Sequence, residues 1–386
     1  VALEATTAEP DRDAVLLPGL VNAHAHLDLA GSAPIPKGET FPDWLIGVGA
    51  ARGAATDPCT AAREQAAALG ARGVVAIGDI DANLGAATAG RLEAGVGGTS
   101  FLEIVGIPVA SARARLIQTL AAMDRAGGPG VFALSPHAPY SIHESVLPEI
   151  ARAARHRGIP MAMHLAESEE ETRFLLQGDG PFTRLLDAIG RGSPFLRPPG
   201  LRPVAYAHAA GVLEGGALVI HGNDLDDDDI GLLARTGSAV VYCHGTHRHF
   251  DRPRHRLADL LAAGVEVALG TDSDASNAGI DLLREMERLV ADRPDVSPST
   301  VLKAGSLGGR RALRHQPGAA IFEPGTPADG LLLGDVPDDA HGWDGDLAVH
   351  WALSGEARVI DTVHAGRSWR GDDRPAALLD TSPGRG

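Results

Sequence analysis

The sequence predicts an α/β protein: a (β/α)8 TIM barrel with a small β-sandwich domain formed near the chain termini. Three observations carry that reading. Eight short apolar runs alternate with Ala/Arg/Leu/Glu stretches of helical spacing. Glycine often closes the helical stretches, as at Gly158 and Gly264, where a left-handed C-cap is wanted. After residue 315 the alternation gives way to short strands and turns.

The strands are expected at 20–26, 74–80, 100–106, 131–136, 159–164, 217–221, 239–242 and 265–270. Each is apolar on both alternations, as a strand covered on both faces must be. Helical spacing fills 61–71, 112–125, 144–157 and 257–263 between them. The count of eight favours a closed barrel over the alternative, an open doubly wound sheet. The stretch 178–203, rich in Gly and Pro, reads as a long excursion between strands five and six. Short strands at 318–322, 330–333 and 357–364 suit a small β-domain. Residues 18–314 are thus assigned to the barrel, and residues 1–17 and 315–386 to the small domain.

Composition narrows the function. A formal net charge of −16 repels a nucleic-acid backbone, and no apolar run approaches the ~20 residues of a membrane-spanning helix. The expected partner is a small-molecule substrate, with neither nucleic acid nor membrane. Asp224 and Asp226 to Asp229 read as a solvated helix start, since carboxylates favour helix N-termini. Two cysteines, Cys59 and Cys243, carry no redox or disulfide pattern and suit a reducing cytoplasm. No signal-peptide pattern opens the chain.

The chemistry lies in where polar residues fall. Barrel active sites form at the C-terminal ends of the strands. Strand one ends in His24-Ala25-His26, strand five in His164 with Glu167 three residues on, and strand six in His221. Strand eight runs into Asp272, and His137 follows strand four. A lone His-X-His or a lone Asp before Ser has an ordinary structural explanation. Five strand ends of one barrel carrying metal-ligand residue types do not, and a metal site at that rim follows.

Pro18-Gly19-Leu20-Val21-Asn22-Ala23-His24-Ala25-His26 resembles the opening motif of the amidohydrolase superfamily. His164-Leu165-Ala166-Glu167, Leu218-Val219-Ile220-His221 and Gly270-Thr271-Asp272-Ser273 resemble its later motifs in order, and Pro324-Gly325 with Ala328-Asp329 its return to the sandwich. Within it the chain is most similar to cytosine, guanine, S-adenosylhomocysteine and aminofutalosine deaminases and triazine chlorohydrolases. Phe41-Pro42-Asp43-Trp44-Leu45, His137-Ala138-Pro139-Tyr140 and Thr246-His247-Arg248-His249-Phe250 lean towards the aminofutalosine deaminase-like members. Fewer residues precede His24 than in relatives, so the N-terminal part of the small domain is expected to be incomplete.

The resemblance implies His24, His26, His164 and Asp272 as ligands of one divalent metal, with water in an open position. Three imidazoles and a carboxylate suit Zn²⁺, and Fe²⁺ would accept the same set. The two lysines, Lys37 and Lys303, end no strand, so the lysine bridge of binuclear relatives is missing. His221 then orients the attacking hydroxide or is itself a ligand. Glu167 moves protons between water, ring nitrogen and leaving ammonia, and Asp272 can accept the water's proton. His137 and Tyr140 are expected against substrate, Trp44 on a lid, and His247 on the rim after strand seven. Cys243 is followed by His244 where relatives carry Pro, which alters the expected pocket shape.

These residues predict a metal-dependent aminohydrolase of an aminated purine- or pyrimidine-like ring. An amide, cyclic imide or chlorotriazine hydrolase would use the same site, and a non-catalytic metal-binding barrel is the alternative outside enzymology. Family habit adds a homodimer.

Overall fold

The computed structural model describes residues 14–54, 57–126, 131–277, 279–314, 328–338, 340 and 343–369. The strand expected at 318–322 and the Pro324-Gly325 motif lie outside the described residues. Eight parallel strands form the barrel: β2 (Leu20–Ala25), β3 (Val74–Asp81), β4 (Gly97–Ile104), β5 (Phe132–Pro136), β6 (Ala162–Leu165), β7 (Leu218–His221), β8 (Ala239–Tyr242) and β9 (Glu266–Leu269). All eight coincide with the expected apolar runs. Each lies buried along nearly its whole length, which is why the runs lack polar alternation.

The strands pair as two four-stranded parallel sheets, β2 to β5 and β6 to β9. Two seams close them into one barrel. At the first, Leu134 pairs with Met161. At the second, Ala25 pairs with Asp272, and the Thr271 and Asp272 amides both donate to the His24 carbonyl at 3.0 Å. Asn22 locks this seam from inside: its amide donates to Thr271 Oγ1 at 2.8 Å, and its oxygen accepts from the Thr271 amide at 3.1 Å. Small and branched side chains including Val21, Ala23, Ala162, Ile220 and Val241, with the ring of Phe101, fill the interior.

Helices and caps follow the sequence signals. Asp226 caps the helix Asp227–Thr236 through a reciprocal bond with Asp229, so the acidic run is a helix start. Gly158 and Gly237 end helices in the left-handed conformation. One element appears where only an excursion was expected: α1 (Phe41–Ala54), which covers the rim after β2. The 178–203 excursion contains the short helix Pro181–Ala188.

Both ends of the described chain meet in an antiparallel sheet, ordered β1 (Val15–Pro18), β10 (Gly330–Gly334), β11 (Arg358–His364) and β12 (Arg367–Ser368). Arg310 binds Asp329 at 2.7 Å and so ties this sheet to the last barrel helices. No helix among the described residues is long and apolar enough to cross a membrane.

Candidate metal centre

Four imidazoles converge at the rim. The His24 ring centroid lies 4.9 Å from His26, 5.1 Å from His164 and 5.6 Å from His221. Asp272 stands among them, its Oδ1 3.6 Å from His24 Nε2 and 3.8 Å from His26 Nε2, its Oδ2 3.9 Å from His221 Nε2. Two triads sharing His24, one with His26 and His164 and one with His221 and Asp272, bring potential ligand atoms within 4.8 Å of one another.

The backbone explains the convergence. Val21 and Ala23 belong to the barrel interior, and the pairing of β2 with β3 slips after Asn22, which breaks simple alternation before His24. Leu218 and Ile220 also face inward, so alternation alone would send His221 outward. Instead His221 takes φ +73° and its ring returns over the rim. Asp272 at φ +59° and Ala166 at φ +51° make the same kind of turn after β9 and β6. Non-glycine residues in this region cost on the order of 1–3 kcal/mol each, and such strain concentrates at functional sites.

The donor set fits a divalent ion. Both ring nitrogens of His24 are buried with no hydrogen-bond partner among the described residues, a costly arrangement for an imidazole that binds nothing. His164 Nδ1 donates to the His137 carbonyl at 3.1 Å, which leaves Nε2 with its lone pair facing the cluster. His26 differs: Arg52 Nη2 donates to its Nδ1 at 2.8 Å, so the proton sits on Nε2 while that contact stands. Ligation through His26 Nε2 therefore requires Arg52 to fall back on its carboxylate partners, Glu103 at 2.9 Å and Asp28 at 3.1 Å.

Charge is tuned across the cluster. Burial pushes the Asp272 carboxyl up, yet the imidazoles of His24, His221 and His26 outweigh it and hold the group well below the usual carboxylate range. Thr246 at 3.1 Å and Ser276 at 3.3 Å donate to its Oδ2 and fix its rotation. Burial pushes His221 down to about 3, so its ring is neutral at ordinary pH. Glu167 moves the other way: burial and then the Asp272 charge raise it well above the carboxylate range, and its Oε1 faces His221 Nε2 at 3.5 Å. Burial thus biases one carboxyl towards its acid form beside another held towards its ionised form, the division of labour that acid and base catalysis needs.

The other expected residues are placed as follows. Trp44 on α1 lines the cavity over the cluster, stacked on Phe41 and edge-on to Phe250. His137 lines the same cavity, with Nδ1 2.9 Å from Ser141 Oγ. Tyr140 packs behind His137, its ring 4.2 Å from Phe182. His247 stands one layer out: it binds Asn223 Oδ1 at 3.1 Å, and Asn223 donates to the Glu167 carbonyl. His244 points away from the centre and bridges Tyr242 to Asp292, so the residue after Cys243 does not shape the cavity directly. Lys37 is held at the surface by Asp251. Sequence reasoning missed Arg52, Asn223, Thr246 and Ser276 as site residues.

This cavity measures about 40 Å³ and is closed over by Trp44, Leu45 and Val48 of α1. A second cavity of about 600 Å³ opens beside it, and Glu167 lines both.

A barrel rim of this composition defines a metal-dependent hydrolase. Residues 15–367 match the model of the Amidohydrolase family, and the chain belongs to that family. It is similar to the aminodeoxyfutalosine deaminase of Deinococcus radiodurans, 30% identical over 326 residues that cover 79% of this chain and 75% of that protein. Similarity to the 5-methylthioadenosine/S-adenosylhomocysteine deaminase of Nitratidesulfovibrio vulgaris is also 30%, over 348 residues, 83% of this chain and 72% of that one. Its fold matches an adenosine deaminase from Xanthomonas campestris with bound zinc at a TM-score of 0.73 and 23% identity, covering 96% of this chain and 83% of that one.

Proposed function

We propose that the protein hydrolyses the exocyclic C–N bond of an aminated purine-like nucleoside, releasing ammonia. The observation that carries this reading is Glu167: a buried carboxyl 3.5 Å from His221 and beside Asp272, shifted by burial towards its protonated form. Holding a metal needs no such group, whereas delivering a proton to a ring nitrogen does. The substrate class comes from the two relatives, both named as deaminases.

In this reading His24, His26, His164 and Asp272 hold one divalent ion. Zn²⁺ is favoured by three imidazoles and a carboxylate, and Fe²⁺ is the substitute. When bound, the ion acidifies water, bringing its pKa from 15.7 towards about 7. Glu167 gives its proton to the ring nitrogen beside the amino-bearing carbon. As water adds to that carbon, Asp272 takes one of its protons and neutral His221 accepts a hydrogen bond from the attacking oxygen. Glu167, now a carboxylate, carries the proton from Asp272 to the amino nitrogen. The C–N bond breaks, ammonia leaves, and the added oxygen gives its remaining proton to Glu167 as the carbonyl forms, which restores the acid. His137 and Trp44 contact the ring, Tyr140 supports His137 from behind, and His247 supports Glu167 through Asn223.

Residues 18–314 are read as the catalytic barrel, with 1–17 and 315–386 as parts of the small domain. Two unpaired cysteines, Cys59 and Cys243, suit the cytoplasm. The test is product release by the zinc-loaded protein from a panel of substrates: ammonia from adenosine derivatives, free bases and primary amides, and chloride from chlorotriazines. Release from adenosine derivatives alone is the expected result. Turnover restricted to amides or chlorotriazines would move the protein to another branch of hydrolysis.

A further inference from the structure

His221 sits at the apex of a tight reversal. Its φ is +73°, and the next residue, Gly222, is also left-handed at +59°. The Gly222 amide donates back to the Ile220 carbonyl at 3.2 Å, closing a three-residue turn of a rare and strained kind. It shares that donation with the Leu165 carbonyl at 3.1 Å. Left to itself, the end of β7 relaxes to extended backbone, and alternation then sends the imidazole out of the barrel. The turn needs a tether from outside the strand.

His255 supplies one. Its Nε2 lies 3.0 Å from the carbonyl oxygen of His221, 34 residues earlier in the chain. A carbonyl only accepts, so Nε2 carries the proton. The mount is rigid: His255 is 1% exposed, and its ring stacks on Tyr242 at 4.1 Å. The His255 carbonyl accepts from Arg293 Nη1 at 3.1 Å, while Nε and Nη2 of that guanidinium hold Asp295 at 2.9 Å. His255 Nδ1 is buried with no hydrogen-bond partner among the described residues. A phenylalanine would make the same stack without leaving a polar atom bare. What histidine adds at this position is the Nε2–H, and that bond goes to the His221 carbonyl.

We propose that His255 is a positioning residue for His221: its Nε2–H holds the His221 carbonyl and so keeps the imidazole turned over the metal rim. This rests on the reading in which His221 accepts a hydrogen bond from the attacking oxygen. His255 lines neither cavity, so its effect on the reaction passes through His221.

The test uses zinc-loaded wild type, His255→Phe, His255→Gln, His221→Ala and the double variant His221→Ala/His255→Phe, with 5′-methylthioadenosine as substrate. His255→Phe keeps a ring against Tyr242 and loses the donor. It is expected to lower kcat on the order of 10- to 100-fold at full zinc occupancy, with KM within about threefold of wild type. His255→Gln puts an amide N–H where Nε2 stood and should return kcat to within about threefold of wild type. The double variant should be no slower than His221→Ala, because the tether then has nothing to position. Equal losses in His255→Phe and His255→Gln, or losses that multiply in the double variant, would overturn the assignment.

Nitrogen-15 spectra of histidine-labelled protein test the tether without turnover. The His255 signal, identified by its loss in His255→Gln, should be that of the neutral Nε2–H tautomer, and the His221 ring signals should move in His255→Phe. An Nδ1–H tautomer at His255, or His221 signals unmoved in His255→Phe, overturns the proposal. Absence of turnover in the wild type would count against the deaminase reading instead, and the spectra then decide the tether.

Discussion

The two half-barrels end differently at the rim they share. In the first, β3 and β4 run for eight residues each and finish among charges that balance one another. Arg52 lies against Asp28 and Glu103, and Asp81 caps the Thr88 backbone and hydroxyl. In the second, β6 to β9 are four residues each, and β6, β7 and β9 leave the barrel through left-handed turns at Ala166, His221 and Asp272. That side carries Glu167, biased towards its acid form, Asp272, held towards its ionised form, and neutral His221. It also carries Arg252, whose Nε and Nη2 are buried with no hydrogen-bond partner among the described residues. The first half pairs Asp28 and Glu103 with Arg52, although burial still shifts Asp28 and Asp79 up, and the second adds left-handed backbone at three of its strand ends. Strand one, sewn to strand eight by Asn22 and Thr271, delivers His24 and His26 across the seam.

The largest effect that can break this contrast is on the reactive side. Glu167→Gln should retain the metal and lose turnover by at least about 10³-fold, because the amide fills the same volume but cannot pass a proton. Steady-state rates and metal analysis on one preparation check this, and a loss below tenfold would remove Glu167 from the proton path.

Next comes the balanced side. Arg52→Ala strands Asp28 and Glu103, whose side chains are only 2% and 3% exposed. It should cost about 3 kcal/mol of unfolding free energy, the low end for breaking a buried pair because Arg52 itself is partly solvated. Arg252→Gln abandons no close carboxylate and should cost less than about 1 kcal/mol. Urea unfolding of both variants measures the difference directly, and equal costs would erase the distinction between the two walls.

A smaller effect concerns the hydroxyls behind Asp272. Thr246→Val removes one hydrogen bond to Oδ2 and should weaken metal affinity about tenfold, read by competition with a chelator. The smallest is a pH effect. Burial pushes Glu171 up to about 8, so the folded state holds a proton that the unfolded chain releases above about pH 4. Stability is thus lost as pH rises from there through 8. Glu171→Gln should flatten that slope and gain about 1 kcal/mol on wild type between pH 6 and 9 in thermal or urea unfolding.

Much of this was legible in the sequence. The eight strands could be read because barrel strands are covered on both faces, and β7 or β8 shows only apolar residues until the rim. His24, His26, His164, His221 and Asp272 could be read because each ends such a run. Arg52 and Arg252 could not. One lies at the far end of a helix over the rim and the other in the turn after the helix His244–His249, and their partners are up to 82 residues away in sequence. Nor does sequence show that Asn223 stands between Glu167 and His247, or that α1 closes the cavity to about 40 Å³. Those relations exist only once the barrel has closed.

The central claim is that His24 joins its neighbours around one divalent ion. Metal content of the purified protein and of His24→Ala, by mass spectrometry after zinc loading and dialysis, tests it most directly. The account predicts about one zinc per wild-type chain and almost none in the variant. Equal occupancy in both proteins, or no bound metal in the wild type, would contradict it.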